Sequence, residues 1–130
     1  MVNDENFLAR RFDVLWKSLV VGSTELEHGD PPMGVATGRF HPSENYALIR
    51  ERCQLDGSVR AGLQLRVRHR DGRIIDCAAG VFIEDASEEL GPKAIEVSVL
   101  GIGHLLYEEL FPQHVVAYDA MFSAKGNGSP

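Results

Sequence analysis

The chain has 130 residues, a formal net charge of −6, and 44% hydrophobic and 25% charged residues, which fits one globular domain with a single modest core. No apolar run approaches the ~20 residues that a membrane-spanning helix needs, and the negative balance disfavours general affinity for nucleic acid, whose phosphates demand positive charge. The acidic start, Met-Val-Asn-Asp-Glu-Asn, is unlike a basic secretory leader, and Cys53 and Cys77 match no metal-ligand spacing and read as reduced thiols, so the expected location is the cytoplasm.

Residues 4–21 predict a helix. Leu8, Phe12, Leu15 and Leu19 recur at helical spacing, and Val14 and Trp16 widen the stripe. Asp4 is placed to cap this helix and Gly22 to end it, although Leu19-Val20-Val21 is also β-prone. Residues 22–32 are punctuation, closing on Pro31-Pro32. Residues 33–40 read as a short strand with Gly34, Ala36 and Gly38 on one face. His41-Pro42-Ser43-Glu44 then leads into a helix over 45–54, with Ser43 as N-cap, Tyr46, Ile49 and Cys53 as its apolar face, and Asp56-Gly57 as its stop.

Residues 61–83 predict a β-hairpin. Leu63, Leu65, Val67 and His69 alternate with polar residues, and after the turn Ile75, Cys77, Ala79, Val81 and Ile83 share one face. A two-residue turn at Asp71-Gly72 would pair Val67 with Asp76 and mix oil with charge. A three-residue loop, Arg70-Asp71-Gly72 with Gly72 left-handed, pairs Val67 with Ile75 and Leu65 with Cys77, and sets Arg66 opposite Asp76 on the wet face. Residues 84–92 read as an acidic loop. Residues 94–101 form a third strand with Ile95, Val97 and Val99 inward. Residues 103–122 are helical with a break at Pro112, which suits the first position of a second helix. Residues 123–130, rich in glycine and serine, are expected to be disordered, leaving one domain over 1–122.

His41-Pro42-Ser43-Glu44, Arg68-His69-Arg70-Asp71-Gly72-Arg73 and the strand from Ile95 to Gly101 follow one another at intervals that resemble the second half of a PAS domain, over roughly residues 41–103. Glu44 departs from the aspartate usual in that family, and Cys77 stands near a common tryptophan. The resemblance implies an α+β fold: an antiparallel sheet of about four to five strands, flanking helices, and one helix laid across the sheet. A cleft between that helix and the sheet would be lined by Tyr46, Ile49, Leu65, Val67, Ile75, Cys77, Ala79, Ile95, Val97 and Val99. Side chains or a small apolar ligand can fill such a cleft.

No catalytic or metal pattern stands out, and no cofactor is expected. His28, His41, His69, His104 and His114 fall at no zinc or acid–base spacing, and there is no nucleophile elbow or phosphate loop. The positive charge is uneven. Arg50, Arg52, Arg60, Arg66, Arg68, Arg70 and Arg73 crowd into residues 50–73, where a local basic face could take an anion or an acidic partner. The terminal helices carry more apolar surface than a small sheet easily buries. Trp16, Leu106, Leu110, Phe111, Val115, Tyr118 and Phe122 are the expected interface of a homodimer.

The expectation is therefore a non-catalytic sensory or regulatory module that binds a small ligand or a protein partner and dimerises through its ends. One alternative is a small enzyme with an acid or base among His69, Asp76 and Glu96, and with Arg66 and Arg68 gripping an anionic substrate. Another is an adaptor that takes a peptide along the basic strand edge.

Overall fold

Strands replace the helix expected over 4–21. β1 (Phe12–Trp16) and β2 (Leu19–Thr24) form an antiparallel hairpin turning at Lys17 and Ser18. The computed structural model describes residues 11–54 and 62–127, with side chains as far as residue 122. Asp4, Leu8, the Asp56-Gly57 stop and the last three residues of the expected disordered tail lie outside the described residues. A bulge between Val14 and Leu15 explains the helical appearance of the segment. Both side chains turn inward, so Phe12 and Leu15 are buried three residues apart, a helical interval produced by an irregular strand.

Next come β3 (His28–Asp30), a 3-10 turn at Pro31–Met33, β4 (Val35–Arg39) and β5 (His41–Pro42). The helix expected over 45–54 is a 3-10 segment, Glu44–Leu48, followed by a single turn, α1 (Arg50–Cys53). Ser43 does not cap it. The Ser43 hydroxyl and Asn45 Nδ2 both donate to the Val20 carbonyl, at 2.9 and 3.1 Å, and so tie the segment to β2. The chain continues through β6 (Arg66–His69), β7 (Cys77–Asp85), α2 (Ser87–Leu90), β8 (Ile95–Ile102), α3 (His104–Leu110) and α4 (Pro112–Asn127). The stretch expected as an acidic loop thus ends a strand and adds a helical turn. α4 starts at Pro112 and runs into residues expected to be irregular.

The fold is α+β: among the described residues there are two antiparallel four-stranded sheets, ordered β5-β2-β1-β6 and β3-β4-β8-β7, and four helices. The expected hairpin register is present at its turn. His69 N donates to Arg73 O at 2.7 Å and Ile75 N to Val67 O at 2.8 Å, while Gly72, at φ +99°, closes the three-residue loop. Beyond that point the two runs separate. β6 pairs with β1, setting Val14 opposite Val67, and β7 pairs with β8. The expected three-stranded meander is therefore split between two sheets. Arg66, expected opposite Asp76, donates from Nη2 to the Lys17 carbonyl at 3.3 Å instead.

Both sheets and the helices share one core. Tyr46, Ile49, Leu65, Val67, Ile75, Ile95, Val97 and Val99 are buried in it, and Cys77 packs against it half-buried. The space expected as a cleft is filled by these side chains. Ala79 is a correction: it is exposed, because Ala78 and Ala79 lie together opposite Gly101 in a bulge. Gly101 is left-handed there, and a Cβ would stand 2.6 Å from Ala79 N. Among the described residues, no helix is long and apolar enough to cross a membrane.

The solvent face of the second sheet carries one adverse pair. Glu84 and Glu96 are cross-strand partners, both exposed, with Arg39 on β4 beside Glu96 and Lys93 lining the same depression, and neither cation forms an ion pair with them. Glu84→Lys should raise stability by about 0.5–1 kcal/mol in dilute buffer. In thermal unfolding the gain should fade in ~1 M salt, where charges separated by more than about 3 Å are screened.

Candidate functional site

Of the 50–73 cluster, Arg60 lies outside the described residues, Arg50 stands over the Tyr46 ring and Arg70 sits in the hairpin turn, and the rest divide into two sets. Arg68 is paired with Asp13 at 3.0 Å. Arg73 bridges Asp71 and Glu109, each at 2.9 Å, which fastens the hairpin turn to α3. Asp71 accepts the Arg73 backbone N–H, and with the His69 and Arg73 side chains beside it the carboxyl is held down at about 2. In contrast, Arg52 and Arg66, with Lys17 from the β1–β2 turn, have no carboxylate within ion-pair reach among the described residues.

Two of these cations lie over Trp16 and the third lines the same pocket. Lys17 Nζ lies 4.6 Å from the Trp16 ring centroid and Arg52 Cζ 5.7 Å from it, within the range at which a ring quadrupole attracts a cation. The hydrogen bond from Arg66 to the Lys17 carbonyl fixes the third. Together with Gln64 and the buried Leu63 and Leu65 they line a pocket of about 560 Å³. That volume falls within the roughly 300–1,000 Å³ of small-molecule sites.

The backbone is strained in the same place. Among the described residues, only Lys17 (φ +58°), Gln64 (φ +54°) and Leu26 (φ +47°) are non-glycine residues in the left-handed region. Two of the three line this pocket. Such a conformation costs about 1–2 kcal/mol at a residue with a Cβ, and strain of this kind clusters at functional sites. Glycine would fit the Lys17 turn more easily, but it would bring no charge to Trp16.

Of the residues singled out from the sequence, Trp16, Leu65 and Arg66 meet at this pocket, although Trp16 was expected at a dimer interface and Leu65 in an internal cleft. Arg68, expected to grip an anion beside Arg66, is occupied by Asp13. Arg52, one of the crowded arginines, joins them, while Lys17 and Gln64 come to it unannounced. The crowding of arginines over 50–73 was the one signal in the chain that led here. The alternative acid–base set is dispersed: His69 faces Asp71 in the hairpin turn, Asp76 is exposed between β6 and β7, and Glu96 stands between Glu84 and Arg39.

The expected interface is largely occupied by the chain's own core. Phe111 is fully buried, and Leu106, Leu110 and Val115 pack against the core. Phe111 stacks on Phe12 and His114, and His114 Nε2 lies 2.8 Å from the buried Leu26 carbonyl. α4 also contacts β3 and the Pro31–Met33 turn, a seat that the sequence reading of 22–32 did not supply. Tyr118 is half-buried and Phe122 exposed, their rings 4.6 Å apart.

A second polar cluster is sealed inside. The Tyr46 hydroxyl donates to Asp85 Oδ2 at 2.5 Å, and the Ser87 N–H donates to Oδ1 at 2.8 Å. Burial pushes the Asp85 carboxyl up, but the hydrogen bonds from Ser87 and Tyr46 and the nearby Arg50 charge outweigh it and hold the group below its ordinary value. Burial and the same carboxylate push the Tyr46 phenol far up. The cluster is satisfied from within the protein and is structural.

No protein-family model matches the chain, and neither the curated proteins nor the solved structures yield a significant match.

Proposed function

We propose that the protein is a non-catalytic regulatory module that binds a small, multiply charged anion in the pocket of Trp16, Lys17, Arg52 and Arg66. The observation that carries this reading is the convergence of three cations, none balanced by a described carboxylate, on one pocket that holds an indole beneath two of them and two strained backbone positions. The described lining offers charge, one amide and an apolar floor. It offers no imidazole or carboxylate, so it suits holding an anion better than moving a proton. With a net charge of −6 around it, the patch favours a compact anion over a long polyanion such as nucleic acid. A binding module of this kind fits the sensory role that the PAS resemblance implies, with the ligand at the surface in place of an internal cleft. The cytoplasm suits it: Cys53 and Cys77 form no disulfide.

Trp16 is the single tryptophan, so its emission reads the site directly. Titration with tripolyphosphate at low salt should change that emission saturably. Arg52→Glu should weaken binding about tenfold, the loss of roughly 1.4 kcal/mol of charge-assisted contact, without lowering the melting temperature, because Arg52 is exposed. Lys17→Gly should also weaken binding while leaving the fold at least as stable, since it relieves a left-handed lysine. Flat emission, or equal affinity in Arg52→Glu, would reject the assignment.

A further inference from the structure

A different cavity lies where the Pro31–Met33 turn meets α3 and α4, and it shares no residue with the anion pocket. Its volume is about 190 Å³, too small for a nucleotide or drug-sized ligand and enough for one compact group. Pro31, Pro32 and Val115 give it aliphatic walls, and Tyr107 and Tyr118 give it aromatic ones. The Tyr107 hydroxyl is already committed, donating to the Val35 carbonyl at 2.8 Å. Burial, with the Asp30 charge behind it, pushes that phenol up to about 12, so it stays a neutral donor and leaves only its ring to the cavity.

The charged groups at this cavity are mostly acidic. Asp119 has no ion-pair partner among the described residues. Glu108 shares its charge with the exposed His104, whose Nε2 lies 3.1 Å away. An anion would be repelled here. A neutral apolar group would gain burial but leave Asp119 and Glu108 without a partner. A cation carrying its own hydrocarbon meets both demands: its alkyl part lies on the prolines, Val115 and the ring faces, and its charge lies beside the carboxylates.

We infer that this cavity binds a compact alkylammonium group. Two sources share that chemistry: a free quaternary amine, and the lysine side chain of a partner.

Backbone amide NMR with two probes tests the inference, choline for the free ion and an acetylated, amidated Gly-Lys-Gly peptide for the side chain. Shifts centred on Val115, Tyr118 and Asp119 with either probe support it, and the tighter of the two names the source. The carbon isostere of choline, 3,3-dimethylbutan-1-ol, should bind more weakly. Asp119→Asn should weaken the cation about threefold and its combination with Glu108→Gln about tenfold, the effects expected of exposed ion pairs. Both positions are exposed, so these variants should fold as the parent does. Equal binding of the neutral isostere would overturn the inference, as would an absence of shifts with either cation up to about 100 mM, which is weaker than any useful affinity.

Discussion

Replacing Phe111 by alanine is expected to lower the unfolding free energy by about 3–5 kcal/mol, the usual cost of removing a buried aromatic ring from a core. The side chain is fully buried at the junction between α3 and α4. Its ring lies 5.5 Å from Phe12 on β1, 5.2 Å from His114 on α4 and 5.1 Å from Tyr107 on α3. One truncation therefore loosens three elements, and their ring pairs are worth about 0.5–1.5 kcal/mol each beyond simple burial. Against the 5–15 kcal/mol typical of a whole domain, roughly, the variant should be only marginally folded. In urea its midpoint should fall sharply while the slope stays unchanged. Phe122→Ala, at an exposed position on α4, is the control and should cost much less. A loss for Phe111→Ala as small as that of the control would mean that the terminal helices do not close the core.

Tyr46→Phe should cost about 1–3 kcal/mol although it removes one oxygen, because it leaves Asp85 buried with a donor missing. The acid limb of the stability curve provides a second reading. In the parent the Asp85 carboxyl is held below its ordinary value, so its contribution is fully present above the unfolded-state value near ~3.9 and is lost as pH falls through the folded-state value. Removing the Tyr46 donor raises the folded-state value toward the unfolded one. The variant should therefore lose its advantage at higher pH than the parent and show a shallower acid slope. Parallel acid slopes in the two proteins would place the carboxylate's support on Ser87 and Arg50 alone.

Legibility in the sequence followed the regularity of each segment. The turn at 70–72 could be worked out because an apolar alternation on both sides admits one register, and a glycine stands where a left-handed residue is needed. β8 and the helical tail were readable for the same reason: periods of two and of nearly four persist over a whole element. Residues 12–24 failed because the bulge at Val14 and Leu15 breaks the period of two in the middle of a strand. Ala79 failed for a similar reason, at the bulge opposite Gly101. Alternation also names a buried face without naming a neighbour, so Val67 was correctly placed inward while its pairing with Val14 went unseen. The candidate site was the least legible part. Lys17 and Gln64 are marked by backbone conformation and by proximity to Trp16, and a one-dimensional pattern displays neither property.

The strand order also constrains how the molecule is made. Phe12 is paired with His69, and Ala36 with Val99, so each sheet is completed by a segment that the ribosome releases long after the strand awaiting it. Until then the emerging chain can form only fragments of each sheet, β5-β2-β1 and the β3–β4 ribbon, which expose open edges and an uncovered apolar face. Chain closure over such separations slows assembly to the millisecond-to-second range typical of non-local β topologies. Nascent polypeptides stalled before residue 95 should accordingly remain protease-sensitive and prone to association, and protection should arrive abruptly once β8 and the terminal helices that close the core clear the exit tunnel.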